Sequence, residues 1–280
     1  MNWQAEIRCH GGAATRRELR GVPDRVLTAA VDSGRLLRPR RGVYAHPALS
    51  REAIAALAAG GRLSCVSAAR SYGLWGGQDG RLHLRVGSHA GRTDPGTVRH
   101  WEQPDTQAEL WRVSFDECLR SVVRCADEET AIAVLDTALS AGSISLARLR
   151  RVFDGSSARS LAVMASARPG SDSGVESILR QRLTARGHHV EQQVAVSGVG
   201  RVDARVDGWL YVEIDGFAYH ADRDAFERDR TRDTGLALLG ARCVRFPARD
   251  VLTDADAVVA TIEAVLATEV ISASNPRKRI

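Results

Sequence analysis

Lysine is nearly absent from this 280-residue chain: of its 39 basic residues only Lys278 is a lysine. An arginine excess of this kind is what a GC-rich genome produces, so arginine number alone carries no functional argument. Long apolar runs are missing as well. No stretch approaches the roughly 20 residues that cross a bilayer. The opening "MNWQAEIRCHGG" lacks the basic start and apolar middle of a signal peptide. These absences predict a cytoplasmic protein with no membrane partner. The five cysteines, Cys9, Cys65, Cys118, Cys125 and Cys243, are odd in number and scattered without a C-x-x-C pair. That argues against a disulfide framework or a zinc knuckle and for small buried apolar residues. No phosphate loop of the G-x-x-x-x-G-K-[ST] kind occurs, so nucleotide hydrolysis and a nucleotide cofactor are not expected. Internal repeats and low-complexity segments are also absent.

What the chain does have is enough apolar content, 44%, and enough length for two or three domains with real cores. Its formal charge of +5 is unevenly spread. Residues 1–47 hold nine arginines against four acids, and residues 171–268 hold twelve arginines against sixteen acids. A basic head fits nucleic acid and an acidic tail fits bound cations. In the head, Thr15 and Glu18 have the T-x-x-E spacing that starts a helix. "PDRVLTAAVDSG" begins with Pro23 near the first helical position and stops at Gly34. "RLLRPRRGVYAHP" reads as a hairpin, with strands Leu36 to Arg38 and Val43 to Ala45 and a turn over Pro39 to Gly42. Helix, turn, helix and basic hairpin together describe a winged helix. Two further helices, the first capped by Ser50, and a strand at 81–86 continue this head, whereas residues 98–118 show no clear period.

The expected organisation is an α/β multidomain chain. Residues 1–90 form a winged-helix DNA-binding domain with extra helices, and 91–170 a mainly helical connector broken at Gly142 to Ser145. Residues 171–270 form an αβββαβ core, and 271–280 a basic, disordered tail. The loop "ARPGSDSG" marks the boundary before the core.

Within that core, "GRVDARVDGWLYVEIDGFAYH" (200–220) puts acids where a buried hairpin should carry valines. Burying an unpaired carboxylate costs several kcal/mol, roughly, so the acids need a counter-ion, a hydrogen-bond network or a metal. Period-2 alternation sends Glu213 and Asp215 to one face, about 7 Å apart. A two-residue turn at Asp207-Gly208 would pair Asp203 with Val212 and point it away from Glu213. A three-residue loop or a bulge would bring the acids together, and we expect the latter. Three oxygen donors, Asp203, Glu213 and Asp215, suit Mg²⁺ or Mn²⁺, and His220 is placed to orient a water or protonate a leaving oxygen. The competing reading is an edge strand with one solvated face.

The tail, from "VESILRQRL" through "VDARVDGWLYVEIDGFAYH" to "ARCVRF", resembles bacterial domains related to the very-short-patch repair endonuclease, within the PD-(D/E)XK restriction-endonuclease-like superfamily. The resemblance covers roughly 95 residues. It implies a restriction-endonuclease-like core and Mg²⁺-dependent cleavage of DNA. Asp203 would be the first acid of the motif and Glu213 the second, with Asp215 where most of the superfamily has lysine. His220 falls where the repair enzyme has a histidine. Glu176 has two readings, a metal-site acid on the first helix of the core or the last member of an S-x-x-E capping box begun by Ser173. Arg228 and Arg232, at i, i+4 spacing, could reach a phosphate near the metal.

The first 47 residues are similar to the winged-helix domain of AbiEi-type antitoxins. That resemblance and the bottom-up reading place the helix Asp24 to Ser33 in a major groove, with Arg25 exposed and Arg38, Arg40 and Arg41 on phosphates or the minor groove. Two functions follow. One is a metal-dependent DNA endonuclease of repair or defence; the other is a non-catalytic DNA-binding antitoxin or repressor. The partners to test for are DNA and a second copy of the chain in a homodimer.

Overall fold

The computed structural model describes residues 2–87, 96–101, 109–216 and 235–273. The chain divides into two compact units, residues 1–134 with 150–163, and residues 135–149 with 164–280.

The first unit opens with helix α1 (Trp3–Cys9), whose N-terminus is capped by Asn2 accepting from the Gln4 N–H at 3.0 Å. Strand β1 (Ala13–Thr15) follows. The T-x-x-E pair after it does form: the Thr15 N–H and hydroxyl both donate to Glu18 Oε2, at 2.6 and 2.8 Å. It starts a turn rather than the expected helix. Leu19 N–H reaches Thr15 O at 3.1 Å, but the next apolar anchor, Val22, already bonds back to Leu19 O at 2.9 Å. Pro23 disfavours helical backbone at Val22, which leaves no room for a second turn. Arg16 locks the bend, donating to Asp24 Oδ1 at 2.7 Å and to the carbonyls of Leu19 and Val22 at 2.7 and 3.2 Å.

Helix α2 (Asp24–Asp32) follows Pro23 and ends at Gly34 in the left-handed region, φ +68°. Strands β2 (Leu37–Arg40) and β3 (Val43–Ala45) complete a three-stranded sheet of order β1-β3-β2. Pro39 was expected in the turn, but it stays within β2, where the pairing carries a bulge between Leu37 and Arg40. An edge strand tolerates the missing N–H, so the turn shrinks to Arg41-Gly42. Trp3, Ile7, Leu19, Leu27, Leu36 and Tyr44 form the core beneath it.

Still in the first unit, Ser50 caps α3 (Arg51–Ala58), accepting from Ala53 N–H at 3.1 Å. β4 (Arg62–Leu63), α4 (Cys65–Ser71), β5 (Leu82–Val86), β6 (Thr97–Trp101) and α5 (Phe115–Cys125) follow. β5 is central, antiparallel to β4 and parallel to β6. The stretch without clear period thus supplies an edge strand. The cysteines do not all behave as small buried apolar residues: Cys65 and Cys118 are buried, but Cys9 and Cys125 are exposed.

Helices α6 (Glu128–Ser140), α7 (Leu146–Val152) and α8 (Ala158–Ser166) come next, with the break between the first two at Gly142, φ +65°. The second unit then runs α9 (Gly174–Ala185), β7 (Val190–Val196), β8 (Gly200–Val206), β9 (Leu210–Asp215), β10 (Cys243–Pro247) and α10 (Ala248–Ala273), which kinks at Asp254. Of the helix expected over 224–239, residues 235–238 are helical and 217–234 lie outside the described residues. The sheet order is β10-β9-β8-β7, with only β10 and β9 parallel. Val202, Val206, Leu210 and Val212 are fully buried in it. Among the described residues no helix is long and apolar enough to cross a membrane.

One charged network is sealed inside the second unit. Asp136 is completely buried; its Oδ2 accepts from Ser177 Oγ at 2.7 Å and Arg180 Nη2 at 2.8 Å, and its Oδ1 from Arg168 N–H at 2.8 Å. Breaking such a pair strands the surviving charge without solvent. Asp136→Ala should therefore destabilise this unit by about 3–5 kcal/mol, measured as a fall in the urea midpoint with unchanged slope.

Candidate active site at the β8–β9 hairpin

The turn between β8 and β9 decides where the acids fall. The last pair before it is Val206↔Leu210, so Asp207, Gly208 and Trp209 form a three-residue loop. Asp207 and Gly208 both take left-handed backbone, φ +50° and +80°, as a three-residue hairpin requires of part of its loop. Asp207 tolerates this because its carboxylate is held from outside. Oδ1 accepts from the His189 N–H at 2.9 Å, and Oδ2 faces His188 Nδ1 at 2.8 Å.

The ladder from this turn runs through Arg205↔Tyr211 to Ala204↔Val212. Continued by one position, it sets Asp203 opposite Glu213, the arrangement expected of a three-residue loop. At that position the side chain replaces the backbone as partner: Asp203 Oδ2 accepts from the Ile214 N–H at 2.8 Å. Asp203 also lines a narrow pocket against α9 together with Glu176, Gln192 and Val212.

Glu176 realises the capping-box reading. Ser173 Oγ donates to its Oε1 at 2.8 Å, and its own N–H returns to Ser173 Oγ at 3.3 Å. It also lines the same pocket as Asp203. Burial pushes its carboxyl up, and the charge of Asp203 adds to the rise. The Asp172 N–H and Gln193 Nε2, each at 2.9 Å from Oε2, hold the side chain in place. Gln193 was not singled out from sequence. It occupies left-handed backbone inside β7, φ +51°, and such strain in a non-glycine residue concentrates at functional positions.

Glu213, 6% exposed, is paired across the parallel ladder with Arg245 of β10, whose Nε donates to its Oε2 at 2.6 Å. Arg245 was missed because the partner strand of a parallel pair cannot be registered from sequence. Asp215 closes β9, half-buried, opposite Pro247. The expected metal trio of Asp203, Glu213 and Asp215 is thus only partly gathered. Among the described residues, no three of these acids lie close enough to form a ready-made cage for an ion. His220, Arg228 and Arg232 lie outside the described residues.

In the first unit, Arg25 is exposed on α2, and Arg38, Arg40 and Arg41 are exposed on the β2–β3 hairpin. The Arg38 guanidinium lies 5.9 Å from the centre of the Tyr44 ring.

Residues 176–266 match the family model REase_MTES_1575, a restriction-endonuclease-like domain. Residues 5–47 match a family model described as transcriptional regulator, AbiEi antitoxin. No curated protein matches the chain.

The hairpin lock makes a pH prediction. Burial works against the His188 imidazolium, but Asp207 and Glu263 outweigh it and raise its pKa above 6.5. A raised folded-state pKa contributes stability that is complete below 6.5 and lost as pH climbs through the folded value. The unfolding temperature should fall as pH rises above 6.5, and His188→Asn should reduce that fall. Parallel curves for the two proteins would show that the pair does not hold the turn.

Proposed function

We propose that the chain is a metal-dependent DNA endonuclease. The observation that supports this most directly is the three-residue turn, which sets Asp203 opposite Glu213 and leaves Glu176 crowded by the Asp203 charge. Like charges gathered in a half-buried pocket are what a cation relieves. The donors are all hard oxygens. Mg²⁺ needs only one or two carboxylates, because it keeps several waters and shares substrate phosphate. Asp203 and Glu213 fit that requirement without Asp215. In such a site Mg²⁺ or Mn²⁺ supplies Lewis acidity toward a scissile phosphate.

The protein's own groups do the remaining work. Asp203 is oriented by the Ile214 N–H. Glu176 is fixed by Ser173, Asp172 and Gln193, and it holds a proton more readily than an ordinary carboxylate. His220 is proposed as the group that orients the attacking water or protonates the leaving oxygen. Arg228 and Arg232 are proposed to hold the phosphate. The restriction-endonuclease-like match over 176–266 supports the same reaction class.

The first unit is the DNA handle in this reading. Its order of α1, β1, a capped turn, α2 and the β2–β3 hairpin supports the winged-helix reading, with a turn in place of one helix. α2 presents Arg25 to a major groove, and the hairpin presents Arg38, Arg40 and Arg41 to the backbone. A second reading, a DNA-binding antitoxin or repressor with a non-catalytic tail, is favoured by the ion pair of Glu213 with Arg245 at 2.6 Å and by the AbiEi match. A guanidinium can satisfy a buried carboxylate with no metal present.

With Mg²⁺ or Mn²⁺ the full chain should cut DNA. Asp203→Asn should lose cleavage by about 100-fold or more, past the range of outer-shell partners, with DNA affinity unchanged. Full activity in that variant would remove Asp203 from the site, and no cleavage by the parent on single-stranded, duplex, mismatched or branched DNA would favour the repressor. Separately, Arg38→Ala with Arg41→Ala should lower DNA affinity and flatten the salt slope by about two. An unchanged slope would place the contact elsewhere.

A further inference from the structure

The first unit brings together four side chains that the sequence scatters. Cys65 at the start of α4, His83 on β5, His100 on β6 and Cys125 at the end of α5 each offer one ligand atom, and all four atoms lie within 4.8 Å of one another. We infer that these residues form a structural zinc site of the Cys₂His₂ kind, separate from the acids of the β8–β9 hairpin.

The donor set is the first argument. Two thiolates and two imidazoles in a tetrahedral arrangement select zinc among the common ions. The spacing is the second. With bonds of about 2.3 Å to sulfur and 2.0–2.1 Å to nitrogen, the edges of a tetrahedron are about 3.3 Å between nitrogens and about 3.6 Å between sulfur and nitrogen. His83 Nδ1 lies 3.2 Å from His100 Nε2 and 3.7 Å from Cys125 Sγ. Two such separations also suit hydrogen bonds; what a metal adds is a reason for four donor atoms from four elements to converge within 4.8 Å.

Hydrogen bonding points the same way. His83 Nε2 lies 3.1 Å from Asp79 Oδ2. An ionised carboxylate only accepts, so Nε2 is the donor there, and the other ring nitrogen, Nδ1, faces Cys125 and His100. A carboxylate behind a histidine is the usual outer partner of a zinc ligand, because it fixes the tautomer and raises the basicity of the ligating nitrogen. Asp79 is itself held by Arg81, whose Nη2 donates to Oδ2 at 2.8 Å.

The backbone also aims the ligands. His83 is 3% exposed, and its N–H donates to Ser67 Oγ at 3.0 Å. Cys65 adopts left-handed backbone, φ +49°, unusual for a residue with a Cβ. Its N–H is held by Ser121 Oγ at 3.0 Å, and that hydroxyl donates to Cys118 O at 2.9 Å. The register of β5 with β6 pairs His83 with Val98 and Arg85 with His100. The two histidines are therefore diagonal neighbours on one face of the parallel pair. Four protein ligands leave no open position, so the site's role is to fasten α4, β5, β6 and α5 to one another, not to catalyse.

The full chain, purified under reducing conditions, should contain about one zinc per molecule by elemental mass spectrometry. Replacement by Co²⁺ should give the visible bands of a tetrahedral ion with thiolate charge transfer. Cys125→Ser, at an exposed position, and His100→Asn should each lose the metal or the charge-transfer band, while Cys9→Ser keeps both. Asp79→Asn should weaken zinc affinity about 10- to 100-fold. Stripping zinc should lower the unfolding temperature by about 5 °C or more. Asp203→Asn should retain its zinc, which separates this site from the proposed nuclease centre. No stoichiometric zinc or cobalt after anaerobic reconstitution, or a Cys65–Cys125 disulfide in the native protein, would overturn the assignment.

Discussion

The register of one hairpin governs the chemistry of the second unit. β8 and β9 carry alternating side chains, so a shift of one residue would exchange the buried valines for the acids along both strands. What prevents the shift is the loop at Asp207, Gly208 and Trp209 with two residues in left-handed backbone. The imidazole of His188 and the N–H of His189 hold the one residue there that is not built for it. The core and the candidate site are thus consequences of the same turn. Val202, Val206 and Val212 are fully buried because Asp203 and Glu213 are placed on the alternate positions.

Much of this was legible from the sequence because it depends on short-range rules. The alternation of "LYVEID", the caps at Ser50 and Ser173, and the break at Gly142 each follow from residues within a few positions of one another. The expected device for bringing the acids together was a bulge; the three-residue loop forms instead, and the deciding contacts come from His188 and His189 just before β7. The failures have two causes. Thr15 and Glu18 satisfied the capping rule, yet Pro23 ended the helix before a second turn could form. Arg245 was invisible as a partner of Glu213 because parallel pairing joins strands distant in sequence. The cysteines were misjudged for the same reason: Cys65, His83, His100 and Cys125 come from four separate elements, so no spacing rule could assemble them.

The two metal readings use opposite halves of coordination chemistry. Asp203 and Glu213 offer hard oxygens from facing positions of two strands, which suits an ion that keeps its waters and exchanges them for phosphate. Cys65, His83, His100 and Cys125 offer soft and borderline donors in a closed set of four, which suits an ion that never opens. A protein with both needs the second to survive the conditions that load the first. Donor type achieves this separation, since Mg²⁺ competes poorly for thiolates and zinc is sequestered by them.

Arg245 is where the catalytic and the non-catalytic readings of the tail meet. Its guanidinium neutralises Glu213 at 2.6 Å, and arginine cannot give up its proton near neutral pH. It therefore cannot act as a base, as a lysine with a lowered pKa can. Two roles remain open to it chemically. If substrate phosphate enters, the planar fork can pivot from carboxylate to phosphate oxygens, since it matches both geometries. Glu213 would then be released toward a cation at the moment the phosphate arrives. If no phosphate enters, the same pair remains a buried ion bridge between β9 and β10. The near-total replacement of lysine by arginine across the chain thus has a local consequence, because the Arg245 cation paired with Glu213 can switch partners but not protonation state.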